Sequence, residues 1–233
     1  MKEVFPGCGE ATHNLPDFQP EDLVLTDDPE MPFLDNPLTE KGLEQAGQLA
    51  ERLRTEKFNL VLASDLSRAW NTAQAIVRKN PFADDVQECR LLRERNAGVL
   101  NGEREIFRAQ LKVEEAIKDR ELDVATWRIP GGESVGDLRS RVEAFLQLLL
   151  AKSQEYKYKE DLKVLVVTHF MWMHELYRIL MAIVGGERQE KPRTPNTGLD
   201  KYTLTARIGE DGIAKLEQVV CDVISCGKHL TKG

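Results

Sequence analysis

Apolar residues recur along this chain in two rhythms. Leu60-Val61-Leu62-Ala63 and Lys163–Thr168, the latter with four consecutive β-branched or leucine residues, are short unbroken runs of the kind that form strands buried on both faces. Elsewhere the spacing lengthens to three and four. Leu43, Ala46, Ala50 and Leu53 share one face of a helix that Thr39 can cap. Ala69, Ala73, Ile76 and Val77 define a second helix beginning near Leu66. Val135, Leu138, Val142, Phe145 and Leu149 define a third, opened by Glu133-Ser134 after the breaker Pro130-Gly131-Gly132. A fourth is predicted from about Met171 to Val184. Further strands are predicted at Glu3–Phe5, Val86–Leu92, Tyr202–Ile208 and Leu216–Val223. A turn at Gly98 to Gly102 precedes a charged segment predicted to be helical through Lys118.

Strands alternating with helices predict an α/β fold: a three-layer α/β/α arrangement around a mostly parallel central sheet. In such sheets ligands bind beyond the carboxyl ends of the strands. Polar clusters fall at those ends: Gly7 to Asn14, Ser64 to Arg68, and Thr168-His169. Glu94 follows a fourth strand. Topology therefore predicts Arg68, Glu94 and His169 around one pocket.

Composition narrows the partners. A chain of 233 residues can bury one full core, and a single domain over residues 1–233 is expected. The net charge of -7 argues against nucleic acid. No apolar run approaches the roughly 20 residues of a membrane helix, so no membrane partner is expected. The opening Met-Lys-Glu-Val-Phe-Pro has no apolar core of a signal peptide. Cys8, Cys89, Cys221 and Cys226 match neither a zinc ribbon nor a redox CxxC, which points to reduced thiols and a cytoplasmic location. Leu15–Pro37 is rich in Pro and Asp. It lies in a stretch, Glu3 to Glu40, that carries Asp17, Glu21, Asp22, Asp27, Asp28, Glu30 and Asp35 but no Lys or Arg. The segment 15–37 reads as a long acidic loop near the site mouth, functional or disordered at that length. The ordinary reading of its charge is a solvated surface.

Seven segments, taken in order, carry more information than any one of them. They are Gly9-Glu10 with Asn14; Leu38-Thr39-Glu40-Lys41-Gly42; Ala63-Ser64-Asp65-Leu66-Ser67-Arg68; Leu92-Arg93-Glu94-Arg95 with Gly98 and Gly102; Pro130-Gly131-Gly132-Glu133-Ser134; Val166-Val167-Thr168-His169; and Pro195-Asn196-Thr197-Gly198. The set resembles the histidine phosphatase, or phosphoglycerate mutase-like, superfamily over nearly the whole chain, and most closely its TIGAR-type fructose-2,6-bisphosphatase branch. The resemblance implies a neutral histidine that attacks phosphorus, two arginines and a second histidine that clamp the phosphoryl oxygens, and a glutamic acid that protonates the leaving group. It implies no metal and no cofactor. Carried over, Arg68 matches the second arginine, Glu94 the acid and His169 the second histidine, while Asn14 and Asn196 match phosphate contacts. Taken singly, Arg68 reads as a surface ion pair, Glu94 as a partner of Arg93 or Arg95, and His169 as a satisfied core histidine.

The pattern breaks at its opening. Where the family has Arg-His-Gly-Glu, this chain has Gly7-Cys8-Gly9-Glu10, and Phe170 follows the second histidine in place of glycine. Cys8 thus occupies the nucleophile position. A cysteine nucleophile needs a cradle that lowers its pKa. No arginine follows Cys8 at the required spacing, Glu10 disfavours a thiolate, and His13 is expected to point elsewhere. Phe170 is expected to take up space beside a phosphate. The functional expectation is a binding or regulatory module that has lost phosphohistidine catalysis but keeps an anion pocket of Arg68, His169, Asn14 and Asn196. Its ligand would be a small phosphorylated molecule or phosphate; the sequence names no protein partner. The alternative is an active phosphatase on a sugar phosphate such as fructose-2,6-bisphosphate or another small phosphomonoester, with Cys8, Glu94 and His169 as its catalytic residues.

Overall fold

A computed structural model describes residues 1–29, 31–101, 112, 115, 123, 125–156, 162–185, 191–209 and 214–230. Apart from residues 112 and 115, the charged segment expected to be helical through Lys118 lies outside the described residues. The strands are β1 (Lys2–Pro6), β2 (Leu60–Ala63), β3 (Val86–Glu88), β4 (Lys163–Val167), β5 (Leu199–Ile208) and β6 (Ala214–Cys226). They form one sheet in the order β3-β2-β4-β1-β5-β6. The first four run parallel, and β5 and β6 complete the sheet antiparallel.

Val4, Val61 and Leu165 stand side by side in the ladder and face helices α1 (Glu40–Leu53) and α2 (Ser67–Lys79). Leu60, Leu62, Val164 and Val166 face the other way, onto α3 (Val135–Glu155) and α4 (Phe170–Ile183). Both faces are apolar because both are covered, as parallel sheets require. Phe5, Phe145, Trp172 and Tyr202 make an aromatic centre on the second face. Phe145 meets Trp172 edge-on at 5.3 Å and Phe5 meets Tyr202 edge-on at 5.7 Å.

Two expectations need correction. Leu43 is 57 % exposed, and Leu49 takes its place in the core. The cause is Gly42, whose backbone meets the chain at Glu10 so closely that a Cβ would lie 2.0 Å from the Glu10 carbonyl. With Gly42, Ala46, Leu49, Ala50 and Leu53 turned inward, Leu43 must face out. The strand expected over Val86–Leu92 stops at Glu88, because its partner β2 ends opposite at Ala63. Arg90–Leu92 then forms a 3-10 turn.

The acidic segment is a long loop, as expected, and it is held by contacts of its own. Phe18, Phe33 and Leu34 are buried, and Leu25 bridges Leu34. Asn36 is the organiser. It accepts from the Val24 N–H and donates to the Thr12 hydroxyl and the Asp22 carbonyl. Asp35 caps α2 from a distance, accepting from Ser67 N–H at 2.6 Å. Thr39 and Ser134 cap α1 and α3 as their sequences predict, the latter in a reciprocal box with Asp137. Among the described residues no helix is long and apolar enough to cross a membrane.

Candidate functional site

Parallel strands bring their following residues to one edge of the sheet. Gly7 bridges Thr168, and Cys8 N–H donates to the Thr168 carbonyl at 3.0 Å. Cys8 and His169 are therefore neighbours, with Sγ 3.7 Å from Nδ1. Thr197 N–H donates to the Cys8 carbonyl from the other side. Gly9 N–H donates to the Thr72 hydroxyl, and a Cβ on Gly9 would lie 2.5 Å from the Gly42 carbonyl. The turn that carries Cys8 is thus fixed by backbone contacts on several sides.

Arg68 lies in the first turn of α2, 3 % exposed, where the helix dipole disfavours a cation. Its Nη1 donates to the Leu34 carbonyl at 2.7 Å, and its charge lies near enough to the Cys8 thiol to favour the thiolate. Among the described residues it makes no ion pair with a carboxylate. Its charge is therefore buried with no full counter-charge in contact.

His169 is 1 % exposed, and its Nε2 is buried without a hydrogen-bond partner. Burial, then the charges of Arg68 and Arg141 and the ring of His13, hold this imidazole well below the usual histidine range. Burial pushes the Cys8 thiol up; Arg68 pulls it down and Glu94 adds to the rise. A thiol in this state is a poor nucleophile.

Glu94 follows the 3-10 turn Arg90–Leu92 and reaches the N-terminus of α4. Its carboxyl accepts from the N–H groups of Arg95, Met171 and Trp172. Burial pushes its pKa up, against the pull of those donors and of Arg68. Arg141 of α3 holds this segment in place. It donates to the carbonyls of Leu91, Arg93 and Glu94 and pairs with both oxygens of Glu133. No local signal marks Arg141 in the sequence, because its partners lie up to 50 residues away.

Cys8 and His169 are in contact, and Arg68 and Glu94 lie close enough to act on the Cys8 thiol. Asn14 and Asn196 are exposed, the latter next to Thr197, whose N–H donates to the Cys8 carbonyl. Asn14 Oδ1 accepts from Ala11 N–H and closes a local turn. Two expectations about neighbours are reversed. Glu10 turns outward, to Lys41 at 3.0 Å and the Thr39 hydroxyl, so its charge is compensated away from the thiol. His13 turns inward. The 3-10 turn Thr12–Asn14, tied to the Pro37 carbonyl, folds its ring back so that Nδ1 is buried without a partner. Burial and Arg68 lower its pKa to about 3. The Phe170 ring packs on His174 one turn along α4, centroids 4.4 Å apart. Part of the acidic segment's charge is also used internally: Asp28 faces Arg93, which binds both oxygens of Asp65. Among the described residues no group of three or more His, Cys, Asp or Glu could hold a metal ion.

The fold is that of an α/β protein with a buried arginine, Arg68, and a buried histidine, His169, at the carboxyl edge of its sheet. The sequence profile of the histidine phosphatase superfamily (branch 1) matches residues 32–208, and the chain belongs to that superfamily. It is 26 % identical over 246 aligned residues to fructose-2,6-bisphosphatase TIGAR of Xenopus tropicalis, an alignment covering 85 % of this chain and 86 % of that protein. It is 39 % identical over 119 residues to the probable phosphoglycerate mutase GpmB of Proteus mirabilis (strain HI4320), covering 50 % of this chain. The chain spans about half the length of that relative, 53 %. In fold it is similar to a mycobacterial glucosyl-3-phosphoglycerate phosphatase in complex with inorganic phosphate, with a TM-score of 0.66, 22 % identity and 99 % of each chain covered.

Proposed function

We propose that this chain is a binding or regulatory member of its superfamily, which holds a small phosphorylated ligand at the cleft without forming a phosphohistidine. The observation that carries this reading is Arg68, a buried cation without a carboxylate partner among the described residues. An uncompensated buried charge is costly, so an anion that reaches it stabilises the fold. The nucleophile position, in contrast, holds a thiol whose pKa burial has raised. Phosphate in the mycobacterial structure agrees in ligand class. Four free thiols suit a reducing compartment such as the cytoplasm.

The second reading is a phosphatase acting on a sugar phosphate, with Cys8 as nucleophile. The raised carboxyl of Glu94, suited to protonating a leaving oxygen, favours it. One experiment separates the two. Wild type is assayed on an aryl phosphate and on fructose-2,6-bisphosphate, beside Cys8→Ser and buffer. Phosphate or vanadate is expected to raise the melting temperature of wild type but not of Arg68→Ala, with no hydrolysis above buffer. Turnover by wild type that disappears in Cys8→Ser overturns the non-catalytic reading.

A further inference from the structure

We propose that His229 and Thr197 are positioning residues for Cys8: His229 holds Thr197 in a backbone conformation that threonine disfavours, and Thr197 in turn fixes the turn that carries the thiol. They act before any ligand arrives, so their role is independent of the anion-pocket reading. Residues 195–198 form a four-residue turn, closed by Gly198 N–H on the Pro195 carbonyl at 2.7 Å. Its third residue, Thr197, has φ +55°, whereas Asn196 does not have positive φ. That is the pattern of a type II turn, whose third position takes glycine or asparagine; a β-branched residue there is strained.

The strain has a use. In this conformation Thr197 N–H points at the Cys8 carbonyl, 2.9 Å away. Turning the peptide between Asn196 and Thr197 over would give Thr197 the negative φ that threonine prefers, and would swing this N–H away from Cys8. The Thr197 side chain opposes that. It is fully buried, and its hydroxyl meets His229 Nε2 at 3.1 Å, the one hydrogen bond of that side chain among the described residues. His229 is itself seated on the same turn. Leu230 N–H donates to the Gly227 carbonyl, and Gly227 packs so close to Pro195 that a Cβ would lie 2.8 Å from Pro195 Cγ. Ser225 is the other non-glycine residue with positive φ among the described residues, and it is held differently, by Lys191, Thr194 and Asp200. Strain of this kind persists only where the surroundings impose it. At Thr197 the side-chain restraint comes from His229, 32 residues further along the chain.

The test is alkylation of the full chain by iodoacetamide without ligand, read cysteine by cysteine by mass spectrometry. Half-buried Cys8 is the reporter and buried Cys89 the control. His229→Ala is expected to speed alkylation of Cys8 at least about tenfold, the scale on which one strained residue is released, and to leave Cys89 as slow as in wild type. His229→Gln, whose amide can bond the same hydroxyl, is expected to stay within about twofold of wild type. The decisive variant combines His229→Ala with Thr197→Gly. Glycine takes positive φ without strain, so the bond to Cys8 no longer needs the histidine and slow alkylation of Cys8 should return. If Cys8 and Cys89 accelerate together in His229→Ala, the residue only stabilises the fold as a whole and the proposal is wrong. If Cys8 alone accelerates but adding Thr197→Gly does not slow it, the link through Thr197 is wrong. An unchanged Cys8 rate in His229→Ala overturns the proposal outright. No anion takes part in the measurement, so each of these failures leaves the anion-pocket reading standing.

Discussion

Cys8 and His169 face each other across the ends of two adjacent parallel strands, thiol sulfur to imidazole Nδ1 at 3.7 Å. On distance alone this resembles the nucleophile and base of a thiol enzyme. The surroundings argue otherwise. Burial raises the thiol and lowers the imidazole, so each group is pushed toward its neutral form. A thiolate–imidazolium pair would put two charges into that space, beside the cation of Arg68.

If the rest of the machinery is intact, the missing parts can be returned. A Cβ on Gly7 would meet only Met173 Sδ at 3.8 Å and the Gly198 carbonyl at 3.9 Å, so a side chain can start there. Gly7→Arg with Cys8→His is expected to hydrolyse an aryl phosphate at least about a hundredfold above wild type, the low end of what one placed catalytic group contributes. An inactive double variant that still binds vanadate would show that Glu94, held by three backbone donors, does not serve as the acid.

Arg141 is expected to be the most sensitive residue near the site. Arg141→Ala takes the charged partner from the buried Glu133 carboxylate, which keeps only the Asn96 N–H, and one donor from each of three carbonyls, of which Leu91 keeps the Trp172 indole N–H. The cost should be about 3–5 kcal/mol in urea unfolding, as for other broken buried pairs. Arg141→Lys should recover little, since an ammonium cannot reproduce the planar fork. A loss under about 1 kcal/mol for the alanine variant would mean that water replaces these bonds.

The histidines predict acid sensitivity. His13 is lowered to about 3 and His174 to about 4, and His169 and His229 are also lowered. In the unfolded chain each takes up a proton near pH 6.5. Between those values the unfolded state binds more protons, so stability is complete above about pH 6.5 and declines as pH falls. Glu94 and Glu175 are raised in the fold and oppose this, contributing stability that is present at low pH and lost as pH rises. With four histidines against two glutamates, the melting temperature is expected to fall between pH 7 and pH 5. His13→Gln should show a shallower fall; an unchanged slope would mean that its ring is open to water.

Lys191 and Asp200 form a buried pair, Nζ to Oδ2 at 3.1 Å with both side chains 1 % exposed. Lys191 also donates to Thr194 and Ser225, while Asp200 accepts from Ser225 N–H and the Tyr202 hydroxyl. The network anchors the segment whose Thr197 supports Cys8. Lys191→Ala is expected to cost about 3–5 kcal/mol, and Lys191→Met with Asp200→Leu distinctly less. Equal losses in the single and double variants, read from denaturant midpoints, would contradict the pairing.

The sequence by itself determined the succession of strands and helices, the capping of α1 and α3, and the position of Arg68 and His169 just after β2 and β4. Each of these follows from local periodicity or from the rule that parallel strands deliver their next residues to one edge. The tertiary structure alone decided which way the neighbours of that edge point. Glu10 turns out because Lys41 and Thr39 are there to receive it. His13 turns in because the Pro37 carbonyl fixes the turn that carries it. Leu43 is exposed because Gly42 packs on the backbone at Glu10. The acidic segment is ordered because Asn36 and Asp35 find Thr12 and Ser67. These contacts join residues far apart in the chain, so their directions are fixed by hydrogen bonds and close packing that form only when the chain has folded.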